Sequence, residues 1–181
     1  CAYIPSVKYP DRPECPIFDY SKIRAAGSAI RGFGGTASGP ESLIELHIRL
    51  RKFLSALVHR QLIIPKGDGH DAAIVNKPYD ATRFVADVFN AIGACVVAGN
   101  VRRSAEIAIG RPTDQTFINL KNYTMHPERA PIGWLSNNTV IMESTEQFES
   151  TIDDIIERIA ANGEPGIINM SNVRRYGRIW L

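Results

Sequence analysis

Cysteine is scarce in this sequence, with three residues among 181, at positions 1, 15 and 95. An odd number at such wide spacing excludes a disulfide framework and a cysteine-rich zinc site. The four histidines share no metal-ligand spacing either, so we predict no metal site in this chain. Low cysteine usage of this kind is typical of a reducing compartment, and we predict a cytoplasmic location.

Long apolar runs are also missing, and no charged-then-apolar leader opens the chain, so we predict neither a membrane segment nor a signal peptide. The formal net charge of +2 excludes a general need for a polyanionic partner and makes any basic function local. The length suits one ordinary domain. The chain opens at Cys1 and stops at "RYGRIWL" without a terminating helix or polar tail, so we expect a fragment of a larger protein.

Helical and strand patterns alternate along the chain, which is typical of an α/β architecture. Three helices are predicted: from a Ser38/Glu41 capping box to near Leu62, from near Asp80 to Gly99 or Asn100, and from Ser144 or Thr145 to Gly163. Short strands are predicted over 17–23, over 101–109 and, buried, over 166–170, whereas residues 64–78 read as a surface loop.

Apolar periodicity also predicts which faces point to the core. The first helix carries a leucine stripe, at positions 43, 46, 50, 54 and 57. The second carries an apolar stripe beside Cys95, which we expect to be a buried structural thiol: Phe84, Val85, Val88, Phe89, Ile92 and Val96. On the strand that follows, Val101, Ala105, Ile107 and Ile109 share one face.

The stretch "KIRAAGSAIRGFGGTASGPESL" predicts an anion site. Glycines at 27, 32, 34, 35 and 39 let backbone amides converge on an anion, and a helix N-terminus follows. Arg24 and Arg31 could then grip phosphate oxygens in bidentate fashion. The alternative is a flexible surface loop with scattered charges. A dinucleotide fingerprint is not supported, because no continuous apolar strand precedes the glycines.

A second candidate is "AGNVRRSAEIAIG", where Arg102 and Arg103 stand between a helix end and a strand, the place where α/β folds bind ligands. The alternative for Arg103 is an ordinary salt bridge to Glu106 or Asp87. The tail "NVRRYGR" interleaves arginine with tyrosine, which is weak support for a nucleic-acid surface.

Four segments in order resemble the catalytic subunit of adenosylcobalamin-dependent (class II) ribonucleotide reductases, of the monomeric, triphosphate-reducing type. They are "FDYSKIRAAGSAIRGFGGTASGP", "CVVAGNVRRSAEIAIG", "GWLSNNTV" and "IAANGEPGIINMSNVRRYGR", within residues 17–178. Residues 1–16 are rich in proline, which predicts an irregular lead-in. Over 17–181, the resemblance implies part of a ten-stranded α/β barrel with helices packed outside. It also implies a monomeric parent, with no membrane or nucleic-acid partner.

The resemblance implies two specificity loops: loop 1 (residues 22–40) and loop 2 (residues 98–105). A deoxynucleoside triphosphate effector would contact loop 1 through Arg24, Ser28, Ile30, Arg31 and Gly32. Loop 2 would couple the effector to the ribonucleotide substrate through Gly99, Asn100, Val101, Arg102, Arg103 and Ser104.

The reaction implied is cobalamin-initiated, thiyl-radical reduction of ribonucleoside triphosphates to deoxyribonucleotides, with electrons from a thioredoxin-type reductant. The family's radical cysteine lies in an "N-x-C-x-E" motif that this sequence lacks, so no catalytic residue is predicted here. Two alternatives remain open. One is a fragment of a class I ribonucleoside-diphosphate reductase large subunit, and the other is a non-catalytic nucleotide- or nucleic-acid-binding module.

Overall fold

The computed structural model describes residues 18–32, 34–66, 73–99 and 102–178. They fall into two compact units, one from Cys1–Phe84 with Ala94–Ser104 and one from Val85–Gly93 with Ala105–Leu181. Helices and small sheets occur together, so the predicted α/β character is confirmed. No closed barrel is present within the described ranges.

The first unit is built on helix α1, Glu41–His59. Phe53 and Ala56 form its buried side, and Phe53 stacks on Tyr79 with ring centroids 6.3 Å apart. The helix ends where Arg60 turns left-handed, at φ 53°, close to the predicted end. The predicted capping box is wrong: Pro40 is the N-cap residue and no side chain caps the helix.

A β-hairpin occupies most of the segment predicted as a loop. Strands β1, Gln61–Lys66, and β2, Ala73–Pro78, pair antiparallel in a register that joins Ile64 to Val75. The loop prediction over 64–78 is therefore wrong at both ends. Proline and glycine dominated that prediction, but a two-stranded sheet has only edge strands, which tolerate Pro65 and Pro78. Its β-branched residues favour pairing.

The predicted strand over 17–23 is also wrong in its described part, because residues 18–23 form a turn. The Asp19 carboxylate accepts a hydrogen bond from the Ser21 amide at 2.8 Å, and the Ile23 amide donates to the Tyr20 carbonyl at 3.0 Å. This side-chain bond competes with a strand ladder, as short polar side chains do in turns.

Helix α2, Ala81–Val97, begins as predicted, with the Asp80 carboxylate accepting from the Arg83 amide at 2.8 Å. Its predicted core face is wrong. The buried positions are Arg83, Asp87, Asn90 and Ala91, whereas much of the apolar stripe is exposed: Val85, Phe89, Ile92 and Val96. The polar side of the helix faces inward because buried partners satisfy it, as described below.

The second unit contains a three-stranded parallel sheet in the order β3-β4-β5, made of Glu106–Gly110, Ser136–Met142 and Gly166–Asn169. Helix α3, Gln115–Ile118, and helix α4, Thr145–Asn162, pack their apolar sides with β4 into one core. Helix α5, Met170–Tyr176, ends the described chain. Short 3₁₀ turns, Pro127–Arg129 and Gly133–Leu135, lead into β4.

Helix α4 follows its prediction closely. The Ser144 hydroxyl accepts from the Gln147 amide, Gly163 ends the helix at φ 81°, and Ile155 is fully buried. Ile107 and Ile109 lie on one face of β3, as predicted, but that face is not buried, since the two residues are 72% and 55% exposed. Strand β5 was predicted to be buried, yet it lies at the sheet edge with most of its residues exposed.

No helix in the described part of the chain is long and apolar enough to cross a membrane.

The sheet glycines provide a stability test. A Cβ atom at Gly110 would collide with the Phe117 ring, so we expect Gly110→Ala to lower the free energy of unfolding by about 1–3 kcal/mol. Gly166→Ala is the matched control, because its Cβ would lie 3.2 Å from the Thr139 Oγ1, a hydroxyl that can rotate away. Urea unfolding followed by circular dichroism measures both. Equal losses would contradict the described packing of Phe117.

Candidate functional site

Loop 1 folds back on itself as a narrow arm. Ala29 and Thr36 form an isolated antiparallel bridge, flanked by hydrogen bonds from the Ile30 amide to the Gly35 carbonyl and from the Ala37 amide to the Ser28 carbonyl. The five glycines of the loop, at positions 27, 32, 34, 35 and 39, have φ between 71° and 94°. Residues other than glycine rarely adopt this backbone conformation, so the arm depends on its glycines.

The cationic side chains of loop 1 point into solvent. Arg24, Arg31 and Gly32 are exposed, and Ser28 and Ile30 are half-buried. Within the described ranges, neither Arg24 nor Arg31 forms an ion pair. Both guanidinium groups are therefore accessible to an anion. Loop 1 itself contains no Asp or Glu side chain that would neutralise them.

Loop 2 is described at both ends but not at Asn100 and Val101, which lie outside the described residues. Arg102 and Arg103 are exposed, and Gly99 and Ser104 are half-buried. The predicted alternative for Arg103 is not what the structure shows. Asp87 pairs with Arg129, Glu106 accepts from Asn90, and Arg103 forms no ion pair with any described residue.

The two loops meet inside the first unit. A Cβ atom built on Gly99 would lie 3.6 Å from the Ser38 Cβ and 3.8 Å from its backbone nitrogen. A side chain at position 99 would thus touch Ser38, so the end of loop 1 and the start of loop 2 lie close together. Two segments about sixty residues apart in the chain thus lie side by side.

An aromatic cluster at the start of loop 1 was not found by sequence reasoning. The Tyr20 hydroxyl and the His47 Nδ1 share a hydrogen bond of 2.6 Å, and the Phe18 ring lies 4.3 Å from the His47 ring. Hydrogen bonds from the Ser21 hydroxyl and amide lower the pKa of Asp19 beside it. Together these contacts attach the start of loop 1 to helix α1.

Two buried polar groups in the second unit were also missed. The Arg129 side chain is 1% exposed, and its Nε donates to Asp87 at 2.6 Å. Lys121 donates to the Ser136 carbonyl and to Glu164, whose second oxygen accepts from the Asn138 amide at 2.9 Å. A signal for the first existed, because positions 83, 87 and 90 form a polar stripe at helical spacing on α2.

The described part of the chain has few residues suited to redox or metal chemistry. Cys95 is a half-buried free thiol, and the structure does not describe the other two cysteines. Among the described residues, no group of three or more His, Cys, Asp or Glu side chains could hold a metal ion. We therefore assign no described residue to a metal or to a cobalamin.

The comparisons with known proteins match the family predicted from the sequence. A family model described as the insertion domain of B12-dependent ribonucleotide reductase matches residues 6–54. The chain is 42% identical over 164 residues to a protein of Dictyostelium discoideum named as a probable adenosylcobalamin-dependent ribonucleoside-triphosphate reductase, across 91% of this chain and 19% of the relative. The predicted resemblance to class II reductases is confirmed.

Two further relatives carry the name adenosylcobalamin-dependent ribonucleoside-triphosphate reductase. The protein of Euglena gracilis is 41% identical over 90% of this chain and 19% of its own length. That of Lactobacillus leichmannii is 42% identical over 94% of this chain and 20% of its own length. The chain thus spans about a fifth of the length of the curated relatives it matches. No solved structure matches it significantly.

The buried ion pair yields a prediction about stability. Arg129→Met would leave the Asp87 carboxylate buried without its guanidinium, which we expect to cost about 3–5 kcal/mol of unfolding free energy. Arg174→Ala is the control, since it breaks an exposed pair with Glu143 and should cost less than about 1 kcal/mol. Urea unfolding compares the two.

Removing both charges with Asp87→Leu and Arg129→Met should recover part of that loss, because no uncompensated charge then remains in this pair. A double variant less stable than Arg129→Met alone would contradict this description of the pair.

Proposed function

We propose that this chain is a segment of an adenosylcobalamin-dependent ribonucleoside-triphosphate reductase, an enzyme that replaces the 2′-hydroxyl of a ribonucleoside triphosphate with hydrogen. The observation that carries the proposal is 41–42% identity, along 90–94% of this chain, to reductases of that name. The dependence on adenosylcobalamin in their names favours this class over a class I ribonucleoside-diphosphate reductase.

Within the parent enzyme, we propose that loops 1 and 2 form the allosteric site for a deoxynucleoside triphosphate. Three observations support it: exposed guanidinium groups at Arg24 and Arg31, a glycine-dependent arm, and the proximity of Ser38 and Gly99. Backbone amides of a glycine-rich loop and the guanidinium groups of two arginines are groups that bind the oxygens of a triphosphate. Arg102 of loop 2 is proposed to report the effector to the substrate.

We propose that β3, β4 and β5 belong to a larger parallel barrel in the parent. Parallel sheets are almost always covered on both faces. Here Ile107 and Ile109 expose most of their surface on one face of the sheet, while the other face packs on α3 and α4. A further layer of the parent enzyme would remove that apolar surface from water.

The chain's own contribution is binding and coupling, because the "N-x-C-x-E" radical motif of the family is absent from its sequence. Adenosylcobalamin would supply the radical initiation in the parent, and no described residue is assigned to it. A thioredoxin-type dithiol, a monomeric parent and a cytoplasmic location complete the proposal.

The cofactor requirement is the first test. We expect the full-length protein that contains this chain to reduce ribonucleoside triphosphates when it has adenosylcobalamin and a dithiol, and to show only background turnover without the cobalamin. Hydroxocobalamin, which lacks the adenosyl–cobalt bond, is the control. Deoxynucleotide formation is measured by chromatography. Turnover without cobalamin but dependent on a second protein subunit would point to class I instead.

Effector binding tests loop 1 without relying on activity. Arg24→Ala or Arg31→Ala each removes charge-assisted hydrogen bonds to phosphate, so we expect deoxynucleoside triphosphates to bind about 10- to 100-fold more weakly. Lys52→Ala removes an exposed cation from α1 and is the matched control. Equilibrium dialysis with each of the deoxynucleoside triphosphates measures the change. Unaltered affinity in both arginine variants would exclude loop 1 as the site.

A further inference from the structure

The Arg129 network is a buried polar cluster of the second unit, consisting of Asp87, Asn90, Glu106 and Arg129. The Arg129 Nε donates to the Asp87 carboxylate at 2.6 Å, and its Nη2 donates to the Asn90 amide oxygen at 2.9 Å. Nη1 donates to the Leu120 carbonyl. The guanidinium therefore has partners along its whole edge.

The network extends through Asn90 to the sheet. The Asn90 Nδ2 donates to the Glu106 Oε2 at 2.9 Å, so one buried amide uses both ends at once. Its oxygen accepts from Arg129, and its nitrogen reaches the first residue of β3. Asn90 and Asp87 are each 1% exposed, so water cannot replace these bonds. Hydrogen-bond networks of this kind rigidify the part of the fold that they join.

The place of this bond in the chain points to its role. Asn90 lies in helix α2, and Glu106 opens β3, sixteen positions later. The segment between them contains the end of α2 and all of loop 2. Helix α2 leads into loop 2, and β3 follows it. The bond therefore fixes the start of β3 relative to α2.

Stability alone is a poor explanation for such a network, because well-packed apolar side chains in place of buried ions are often at least as stable. Polar networks differ from apolar packing by specifying one arrangement, since each donor must meet its own acceptor. A coupling loop needs that property at its ends.

We propose that Asn90 is a positioning residue for loop 2, acting through its bond to Glu106 to make loop 2 responsive to the effector. This inference rests on the proposed function. Asn90 is buried and is not proposed to contact substrate or effector. Its loss should therefore remove the effector's influence on substrate choice, while basal turnover and effector binding are kept.

Three variants of the full-length protein separate this role from a structural one. Asn90→Asp replaces the donor amide with a carboxylate facing that of Glu106, which breaks the bond. Glu106→Gln is the control, because the new amide oxygen still accepts from Asn90. The double variant N90D/E106Q restores the bond in reverse, with the introduced amide donating to the introduced carboxylate. It also keeps the wild-type charge, and an aspartate at 90 still accepts from Arg129.

The readout is the ratio of kcat/KM for pairs of ribonucleoside triphosphates, with and without each deoxynucleoside triphosphate. Allosteric coupling typically changes affinity about 5- to 150-fold, and we expect Asn90→Asp to reduce the effector-induced change in this ratio below about twofold. Glu106→Gln and N90D/E106Q should respond like wild type. Basal turnover and effector affinity, measured by equilibrium dialysis, should stay within about threefold of wild type in all three.

Arg102→Ala and the wild-type protein distinguish failure of this inference from failure of the proposed function. A wild-type protein without any effector response overturns both. A responsive wild type with an unresponsive Arg102→Ala supports the proposed function on its own. The inference is then overturned if folded Asn90→Asp keeps the wild-type response, or if the folded double variant fails to regain it. Should Asn90→Asp not fold, Glu106→Ala breaks the same bond at a half-buried position and is judged by the same outcome.

Discussion

The buried guanidinium of Arg129 constrains the second unit more than any single apolar contact. A charge that is 1% exposed is tolerated only with partners on every side. Asp87 and Asn90 of α2 supply two of them, beside the Leu120 carbonyl, so α2 must turn its polar side inward. A helix has one inward side, and Val85 and Phe89 consequently face outward. The exposed apolar stripe of α2 is thus a consequence of the ion pair, not a failure of hydrophobic packing.

Under the proposed function, the rest of the parent enzyme would cover surfaces that this chain exposes, since the chain spans about a fifth of its relatives' length. The apolar side of α2 and the outer face of β3, with Ile107 and Ile109, are two such surfaces. Loop 1 differs in character, because it exposes guanidinium groups and glycine backbone. Polar exposure suits a soluble anion, whereas apolar exposure suits packing against protein. The chemistry of each exposed region therefore separates the proposed effector loops from the surfaces that the rest of the parent would cover.

Local signals in the sequence predicted local structure well. Asp80, Ser144 and Gly163 begin or end their helices where capping rules place them, because a cap involves only residues within one turn. Two local predictions failed, the Ser38/Glu41 capping box and the strand over 17–23. The other errors concern contacts between residues far apart in the chain. The inward side of α2 is decided by Arg129, 42 positions beyond Asp87. The hairpin of β1 and β2 depends on pairing across a glycine-rich connection, whereas the glycine, proline and aspartate content of the segment predicted a loop. For the candidate site, glycines and arginines indicated an anion, and the resemblance named a nucleotide. The polar stripe on α2 was a local signal of the network behind loop 2, but it did not identify Arg129 or Glu106 as the partners.

Under the proposed function, the pliable specificity loops and the buried Arg129 network depend on each other. A glycine-rich loop has little conformational preference of its own, so it can adapt to different effectors. The same flexibility would weaken the effect of the effector on the substrate if the two ends of loop 2 could also move. An effector shifts an equilibrium only through differential contacts with two defined states. A pliable loop provides those states only when its boundaries are fixed, and α2 and β3 are fixed to each other by Asn90 and Glu106. Specificity in such a site would therefore reside partly in buried residues that never touch a nucleotide.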